Sequence, residues 1–255
     1  MFHVVIPARY ASSRLPGKPL LEIAGRPLIR WVWEAALRSG AASVIVATDD
    51  ARIGAAVSAF GAECEFTSAA HESGTDRIAE VVRRRAFAAD ELIVNLQGDE
   101  PLMPPPVIAA VADALRDRPG CGIATAVAPI LELAEFLDPN CVKAVRAPDG
   151  QALYFSRAPV PWPRDGVRDG VPADFAGAWR HIGLYAYRVE SLLRFAAWEP
   201  TPLERTEKLE QLRALEHGMN IHLVALPQSP PGGVDTAEDL ARVRSTVGSS
   251  VISGS

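Results

Sequence analysis

Residues 4–20 read VVIPARYASSRLPGKPL, and this stretch decides the fold. Residues 4–6 form a short apolar run, typical of strands that are buried on both faces of a parallel sheet. A loop with three cations, Arg9, Arg14 and Lys18, follows the run directly. Because open α/β sheets bind ligands at the carboxyl ends of their strands, the sequence predicts a ligand site at this loop.

The charge of this loop favours a phosphate ligand. Convergent cations and backbone amides suit the strong negative charge of a triphosphate. The loop is not a Walker loop, because the GxxxxGK(S/T) spacing is missing. An ordinary surface loop with solvated cations is the alternative. The position after the first strand and the density of cations favour a triphosphate site.

The front half of the chain alternates apolar runs with helical patterns. Three further runs are typical of buried strands, at residues 44–47, 92–96 and 123–127. Between them, apolar residues recur at spacings of three and four, as on one face of a helix. This alternation predicts an α/β fold, a Rossmann-like, three-layer αβα arrangement around a mainly parallel, mixed sheet.

The pattern changes near residue 140. Two runs that flank Pro148-Asp149-Gly150 predict a hairpin, and a long loop rich in Pro, Gly and Asp follows at residues 159–178. We expect one domain over residues 1–245, with an insert at about 140–200 that forms a small α+β subdomain. The Gly/Ser-rich residues 246–255 predict a disordered tail.

Composition restricts the partners. The chain has 255 residues, 48% of them hydrophobic, which is enough for a large core. The net charge is −5 and the cations are scattered, unlike the basic stripe of a nucleic-acid binder. No apolar run approaches the roughly 18 residues of a membrane span, and no signal-peptide pattern is visible. Cys64, Cys121 and Cys141 lack metal-ligand spacing, so we expect reduced thiols in a cytoplasmic protein, with no nucleic acid or membrane as partner.

Two acidic residues are candidate metal ligands. Asp99 follows a buried strand within NLQGDEP at residues 95–101, where an oxygen ligand suits Mg²⁺ and substrate phosphates together. A turn Asp that accepts backbone hydrogen bonds is an equal alternative. Asp235 lies within PPGGVDTAEDL at residues 230–240. It is either a partner of Asp99 on one metal or the cap of the last helix with Glu238 reaching back, and spacing alone favours the cap.

Two further groups are open to two interpretations. HESGTDR at residues 71–77 precedes a helical pattern, so Ser73 or Thr75 is either a simple N-cap or part of a nucleotide site at the helix start. The insert region holds three more cationic or titratable side chains that are either solvated or ligands of a substrate: Arg157, Arg164 and His181.

Taken together, these segments resemble the 3-deoxy-manno-octulosonate (Kdo) cytidylyltransferase family, within the nucleotide-diphospho-sugar transferase superfamily. The first loop alone indicates only the superfamily. The order and spacing of the matching segments hold from residue 4 to about residue 244. They are IPARYASSRLPGKPL (6–20), SGTDR (73–77), NLQGDEP (95–101), ALYFSR (152–157), LEQLR (209–213) and GVDT (233–236).

The resemblance implies transfer of CMP from CTP to the anomeric 2-hydroxyl of Kdo, with release of pyrophosphate, for lipopolysaccharide biosynthesis. It implies CTP contacts from Ala8, Arg9, Arg14, Lys18, Ser73 and Arg77. It implies Mg²⁺ as cofactor on Asp99 and Asp235, which with Arg9 and Lys18 form the catalytic group. The sugar acid would lie among Gln97, Arg157, Arg164, His181, Tyr185, Glu210 and Gln211. A homodimer built partly through the insert is also implied.

Three alternatives remain. A cytidylyltransferase for another 2-keto sugar acid, such as sialic acid or 8-amino-Kdo, would differ in the insert pocket. A glycosyltransferase that consumes a nucleotide sugar commonly has an Asp-x-Asp metal motif, whereas here Asp99 and Glu100 are adjacent. A non-catalytic nucleotide-binding module predicts a decayed metal pair or acceptor pocket, and the sequence shows neither.

Overall fold

The computed structural model of the chain describes residues 1–11, 14–168, 171–172 and 174–252. The strands are β1 (Phe2–Ala8), β2 (Glu22–Ile23), β3 (Arg26–Pro27), β4 (Ser43–Thr48), β5 (Glu63–Phe66), β6 (Leu92–Asn95), β7 (Ile123–Pro129), β8 (Lys143–Arg146), β9 (Ala152–Ser156), β10 (Val167–Arg168), β11 (Val171–Pro172), β12 (Trp179–Arg188) and β13 (Ile221–Ala225). The helices are α1 (Leu28–Leu37), α2 (Ala51–Ala59), α3 (Gly74–Arg85), α4 (Pro105–Arg116), α5 (Leu133–Leu137), α6 (Val189–Ala197), α7 (Pro202–Glu207), α8 (Gln211–Glu216) and α9 (Ala237–Ile252).

A single large sheet organises the fold. Its central path runs β13-β7-β12-β6-β1-β4-β5, and the hairpin β8-β9 joins it through β12. β1 is parallel to both β4 and β6, whereas β12 lies antiparallel between β6 and β7. The predicted α/β fold with a mainly parallel, mixed sheet is therefore confirmed. The carboxyl ends of β1, β4 and β6 meet at one edge, as parallel neighbours must.

Helices cover both faces of the sheet and make the three layers. In β1 the side chains alternate, so Val4 and Ile6 are buried in one core cluster and Val5 in the other. The first cluster takes in the apolar faces of α1, α4 and α9, and the second those of α3, α6 and α8. None of the helices within the described ranges is long and apolar enough to cross a membrane.

The insert region is continuous with the main sheet. The predicted hairpin is present as β8 and β9, and Gly150 in its turn has φ 92°, a left-handed conformation that favours glycine. Because β8 pairs with β12, the expected subdomain shares the central sheet and does not have a separate one. The long loop contains the short pair β10-β11, beside a small apolar cluster of its own around Phe136.

The predicted disordered tail at residues 246–255 is wrong for residues 246–252, which continue α9. Leu240, Val243 and Val247 recur at helical spacing and are buried against the first core cluster. This apolar repeat outweighs the Gly/Ser content on which the prediction depended. Residues 253–255 lie outside the described residues.

Candidate active site

A cavity of about 280 Å³ opens where β1 and β6 end. Every residue predicted to bind the nucleotide or the metal contributes to its wall, together with Gln97 from the predicted acceptor group. These residues are Ala8, Arg9, Arg14, Lys18, Ser73, Arg77, Gln97, Asp99 and Asp235. The fold thus brings together positions that are up to 227 residues apart in the sequence.

Local packing folds the basic loop over the cavity. Gly17 has φ 69°, and its N–H donates to the Tyr10 carbonyl at 3.0 Å. A Cβ at Gly17 would lie 3.1 Å from the Tyr10 ring, and the Arg52 guanidinium lies 3.3 Å from the centre of the same ring. This cation–π contact fixes the ring, and the ring fixes the turn. Lys18 begins a short 3-10 turn immediately afterwards.

The acidic loop lies close to the end of β1 because Gly98 has no side chain. A Cβ at Gly98 would be 2.8 Å from the Pro7 carbonyl oxygen, which is closer than such atoms can approach. Gly233 allows a similar approach from the other side, since a Cβ there would lie 2.9 Å from the Asp99 carbonyl oxygen. The two glycines therefore let three backbone segments meet at the cavity.

The Lys18 ammonium joins the two predicted metal ligands. It donates to Asp99 Oδ2 at 2.6 Å and to Asp235 Oδ1 at 3.1 Å. The other oxygen of Asp235 lies 3.2 Å from Arg14 Nη2. The Lys18 side chain is only 13% exposed, whereas that of Asp235 is 52% exposed. The two carboxylates converge on a single cation at the wall of the cavity.

Asp235 is not the cap of α9, so the interpretation that spacing favoured is wrong. Thr236 is the cap, since its hydroxyl oxygen accepts from the Asp239 N–H at 3.2 Å and Asp239 Oδ2 accepts from the Thr236 N–H at 3.1 Å. This is a capping box displaced by one residue from the predicted one. The carboxylate of Asp235 is therefore not needed to cap the helix and faces Lys18.

The start of α3 forms the opposite wall. Ser73 is its N-cap, and its hydroxyl oxygen accepts from the Asp76 N–H at 3.1 Å. Arg77 is buried, with Nη2 at 3.3 Å from Asp49 Oδ2 and Nη1 donating to Thr67. The cap and the aligned peptides give this wall a partial positive charge, which suits an anion.

Glu210 and Gln211, two of the predicted acceptor residues, lie beyond this wall. Thr75 Oγ1 donates to Glu210 Oε2 at 2.9 Å, and burial raises the pKa of Glu210. Five buried side-chain polar atoms have no hydrogen-bond partner among the described residues, and two of them lie here on consecutive residues, Glu210 Oε1 and Gln211 Nε2. An unsatisfied acceptor and an unsatisfied donor on consecutive residues are costly in a folded protein, and a bound ligand would satisfy both.

On β12, His181 and Tyr185 lie side by side with ring centres 5.4 Å apart. Burial lowers the pKa of His181 to about 3, so the imidazole is neutral near pH 7. Its Nε2 lies 3.0 Å from Thr125 Oγ1, whose hydroxyl donates to the Leu184 carbonyl at 2.8 Å. The hydroxyl oxygen must then accept from Nε2–H, which leaves Nδ1 of His181 as a hydrogen-bond acceptor.

The sequence profile of the cytidylyltransferase family matches residues 3–221. A 3-deoxy-manno-octulosonate cytidylyltransferase of Pseudomonas syringae pv. syringae (strain B728a) is 54% identical over 246 residues, 95% of this chain and 96% of that protein. One of Halorhodospira halophila (strain DSM 244 / SL1) is 55% identical over 246 residues, 95% of each chain. This chain belongs to the cytidylyltransferase family.

Solved structures agree with this assignment. A CMP:2-keto-3-deoxy-manno-octonic acid synthetase complexed with CTP is 42% identical, with a TM-score of 0.90 over 98% of this chain and all of that one. A cytidylyltransferase from Leptospira borgpetersenii serovar Hardjo-bovis (strain JB197) is 16% identical, with a TM-score of 0.61 over 97% of this chain and 86% of that one. The second likeness shows the fold alone.

Of the seven predicted acceptor residues of this family member, Gln97 lines the cavity, and the other six, which include Arg157 and Arg164, do not. The Arg157 guanidinium donates to three backbone carbonyls, those of Glu207 at 2.6 Å, Pro139 at 3.0 Å and Lys208 at 3.4 Å. Arg164 is exposed in the loop between β9 and β10. The role of both in acceptor binding stays a prediction.

One acid beside Asp99 and Asp235 was missed by sequence reasoning. Glu100 is held close to Gly233, and burial, followed by the charges of Asp99 and Asp235, raises its pKa to about 8. Its adjacency to Asp99 is the one signal that sequence offered. Within the ranges that the structure describes, no three acidic, His or Cys side chains converge to hold a metal between them.

Proposed function

We propose that this chain transfers CMP from CTP to the anomeric 2-hydroxyl of Kdo and releases pyrophosphate. The observation that carries the proposal is the convergence of Lys18, Asp99 and Asp235 at the wall of the cavity between the basic loop and α3. The names of the relatives at 54–55% identity support Kdo as the acceptor. The CTP bound in the 42% identical structure supports the nucleotide.

In this proposal the cavity holds CTP by its phosphates. Arg9, Arg14 and Lys18 supply positive charge on the loop side, and Ser73 supplies the helix start on the other. Arg77 completes that wall, and Asp49 holds its guanidinium in place. A helix N-terminus and guanidinium groups both bind anions such as phosphate, so these residues are sufficient to hold the phosphates.

We propose that Mg²⁺ binds between Asp99 and Asp235. The residues fit this ion, because both side chains are oxygen donors and their carboxylates already converge on one cation, the Lys18 ammonium. Lys18 would then turn from the carboxylates toward the phosphates. When bound there, Mg²⁺ would neutralise phosphate charge and lower the pKa of the attacking hydroxyl.

For the acceptor, we propose a pocket formed by Glu210, Gln211 and β12. The unpartnered Glu210 Oε1 would accept from a sugar hydroxyl, and the unpartnered Gln211 Nε2 would donate to one. Nδ1 of the neutral His181 adds a further acceptor. Arg157 or Arg164 would bind the Kdo carboxylate, since guanidinium forks match carboxylates bidentately. Arg157 would have to release its carbonyl partners to do so.

The reaction would be an in-line displacement at the α-phosphorus. The 2-hydroxyl oxygen of the acceptor forms the new P–O bond while the bond to pyrophosphate breaks. The protein would act chiefly by positioning, which contributes about 7–11 kcal/mol in favourable cases. Lys18 and Arg9 would stabilise the charge that accumulates on the leaving pyrophosphate.

We also propose a cytoplasmic homodimer that supplies CMP-Kdo for lipopolysaccharide biosynthesis. Apolar side chains in and beside the insert support a second copy as the partner, because they would otherwise remain in water. They are Leu131, Leu137, Leu153, Trp162 and Val171, each at least 40% exposed.

A pyrophosphate-release assay tests the proposal. Each of the four nucleoside triphosphates is paired with Kdo, 8-amino-Kdo and sialic acid, with Asp99→Ala as the inactive control. We expect CTP with Kdo to give the highest kcat/KM and the control to lose turnover. Release with sialic acid but none with Kdo would instead identify the other 2-keto acid enzyme, and CTP binding without turnover would indicate a binding module.

A further inference from the structure

Thr75 joins the two halves of the site. It is 2% exposed, and its hydroxyl donates to Glu210 Oε2 at 2.9 Å, across 135 positions of sequence. A hydrogen bond between the side chains of Thr75 and Tyr187 on β12 also forms. Thr75, on α3, therefore contacts both the start of α8 and the central sheet.

Thr75 does not line the nucleotide cavity, although residues on both sides of it do. Ser73 and Arg77 are four positions apart, so they share the face of α3 that lines the cavity. Thr75 lies between them, about 200° around the helix from each, and points to Glu210. An effect of Thr75 on the reaction must therefore pass through Glu210.

The hydrogen bond from Thr75 determines which oxygen of the Glu210 carboxylate remains for a ligand. Oε2 is held by Thr75, while Oε1 is buried without a hydrogen-bond partner among the described residues. Arg213 Nη2 lies 3.8 Å from Oε1, but it already donates to Glu204 at 2.6 Å. If the Thr75 hydroxyl were removed, Glu210 would turn toward Arg213 and its free oxygen would leave the acceptor side.

The other charged groups around Glu210 do not replace this anchor. Asp76 lies on α3 near it and disfavours its charge, and Arg213 is committed to Glu204. Tyr185 and Tyr187 present phenol groups from β12. Thr75 is thus the hydroxyl donor that fixes the carboxylate, because the Ser73 hydroxyl donates to Asp76 at 2.9 Å, and Thr75 is outside the nucleotide cavity.

We propose that Thr75 is a positioning residue for the acceptor: it acts through Glu210 and ties the sugar pocket to the helix that lines the nucleotide cavity. This inference rests on the function proposed above. It assigns Thr75 an effect on the acceptor and not on CTP, although Thr75 lies in the same short segment as Ser73 and Arg77.

The test compares Thr75→Val, which removes the hydroxyl at nearly constant volume, with Thr75→Ser, which keeps it. A hydrogen bond to a charged group is worth about tenfold or more in affinity, so Thr75→Val should raise the KM for Kdo by about that factor. The KM for CTP should stay within about twofold, and Thr75→Ser should restore the KM for Kdo. Thr75→Ala repeats the test if Thr75→Val does not fold.

A double-mutant cycle shows whether the effect passes through Glu210. Thr75→Val combined with Glu210→Gln should be no worse for Kdo than Glu210→Gln alone. Additive losses, or equal changes in the KM for CTP and for Kdo, would overturn the inference. Unmodified enzyme that releases no pyrophosphate from CTP with Kdo would overturn the proposed function and this inference with it. Active enzyme with an unchanged Thr75→Val variant would overturn the Thr75 inference alone.

Discussion

Replacing Lys18 with Met should move metal binding and turnover in opposite directions. In the free protein the Lys18 ammonium occupies the point where Asp99 and Asp235 converge, so it should compete with the proposed Mg²⁺ for their oxygens. The 2.6 Å contact with Asp99 is a hydrogen bond between charged groups, worth about 1.5–3 kcal/mol. The contact with Asp235, whose side chain is 52% exposed, adds roughly 0.5 kcal/mol.

Without this competitor, metal should bind about thirty- to a few hundredfold more tightly in the absence of nucleotide. Turnover should nevertheless fall about 10²–10³-fold, because the cation that would stabilise the leaving pyrophosphate is gone. Mn²⁺ titration followed by electron paramagnetic resonance measures the first quantity without any reaction. Pyrophosphate release at saturating metal measures the second.

The matched control is Arg14→Met, which removes a cation that contacts only the exposed acid of the pair, at 3.2 Å from Asp235. Its metal affinity should change less than about threefold, since exposed ion pairs contribute little. Unchanged or weaker Mn²⁺ binding in Lys18→Met would refute the argument that ammonium and metal compete for the same oxygens. Turnover close to that of the unmodified protein would refute the role of Lys18 at the phosphates.

Asp235→Asn should keep the free energy of unfolding within about 0.5 kcal/mol and lose turnover. Thr236→Ala should lose about 1 kcal/mol of stability and retain turnover, because Thr236 is the cap. Urea unfolding and the release assay separate the two variants, and the reverse pattern would make Asp235 structural. His181 has a folded pKa of about 3, below the unfolded value, so its contribution to stability is complete above pH 6.5 and is lost as pH falls. Between pH 6.5 and 4.5 the protein should lose about 2 kcal/mol more than His181→Gln in urea unfolding, and parallel curves would contradict this. Arg157→Ala should raise the KM for Kdo more than that for CTP and lower stability by about 1–2 kcal/mol, since its carbonyl contacts are lost. A change confined to the KM for CTP would mean that Arg157 acts on the nucleotide and not on the acceptor.

Sequence reasoning placed the proposed nucleotide residues together because strand ends determine where they lie. Lys18 and Asp99 follow β1 and β6, and parallel neighbours bring their carboxyl ends together. The cap of α9 was misplaced by one residue, because Asp235 and Thr236 are both good caps and spacing does not separate them. The backbone N–H groups decide between them, and their direction is visible only in three dimensions.

The acceptor side depended more on tertiary packing. No spacing rule connects Thr75 to Glu210, and no pattern shows that the Arg157 guanidinium is occupied by carbonyls. The raised pKa of Glu100 comes first from burial, and the residues around Glu100 in the sequence do not show that its carboxyl is buried. Residues 246–252 continue α9, whose buried repeat of Leu240, Val243 and Val247 extends into the Gly/Ser-rich stretch.

The two close backbone approaches at Gly98 and Gly233 separate what can be redesigned from what cannot. A side chain at Gly98 would clash with the Pro7 carbonyl and one at Gly233 with the Asp99 carbonyl, so a substitution at either position would force the segments apart. β12 and α8 have no such restriction at His181 or Gln211, whose side chains we propose for the acceptor pocket. Substitutions that aim at a different sugar acid should therefore be made on those two elements, with Gly98 and Gly233 left unchanged.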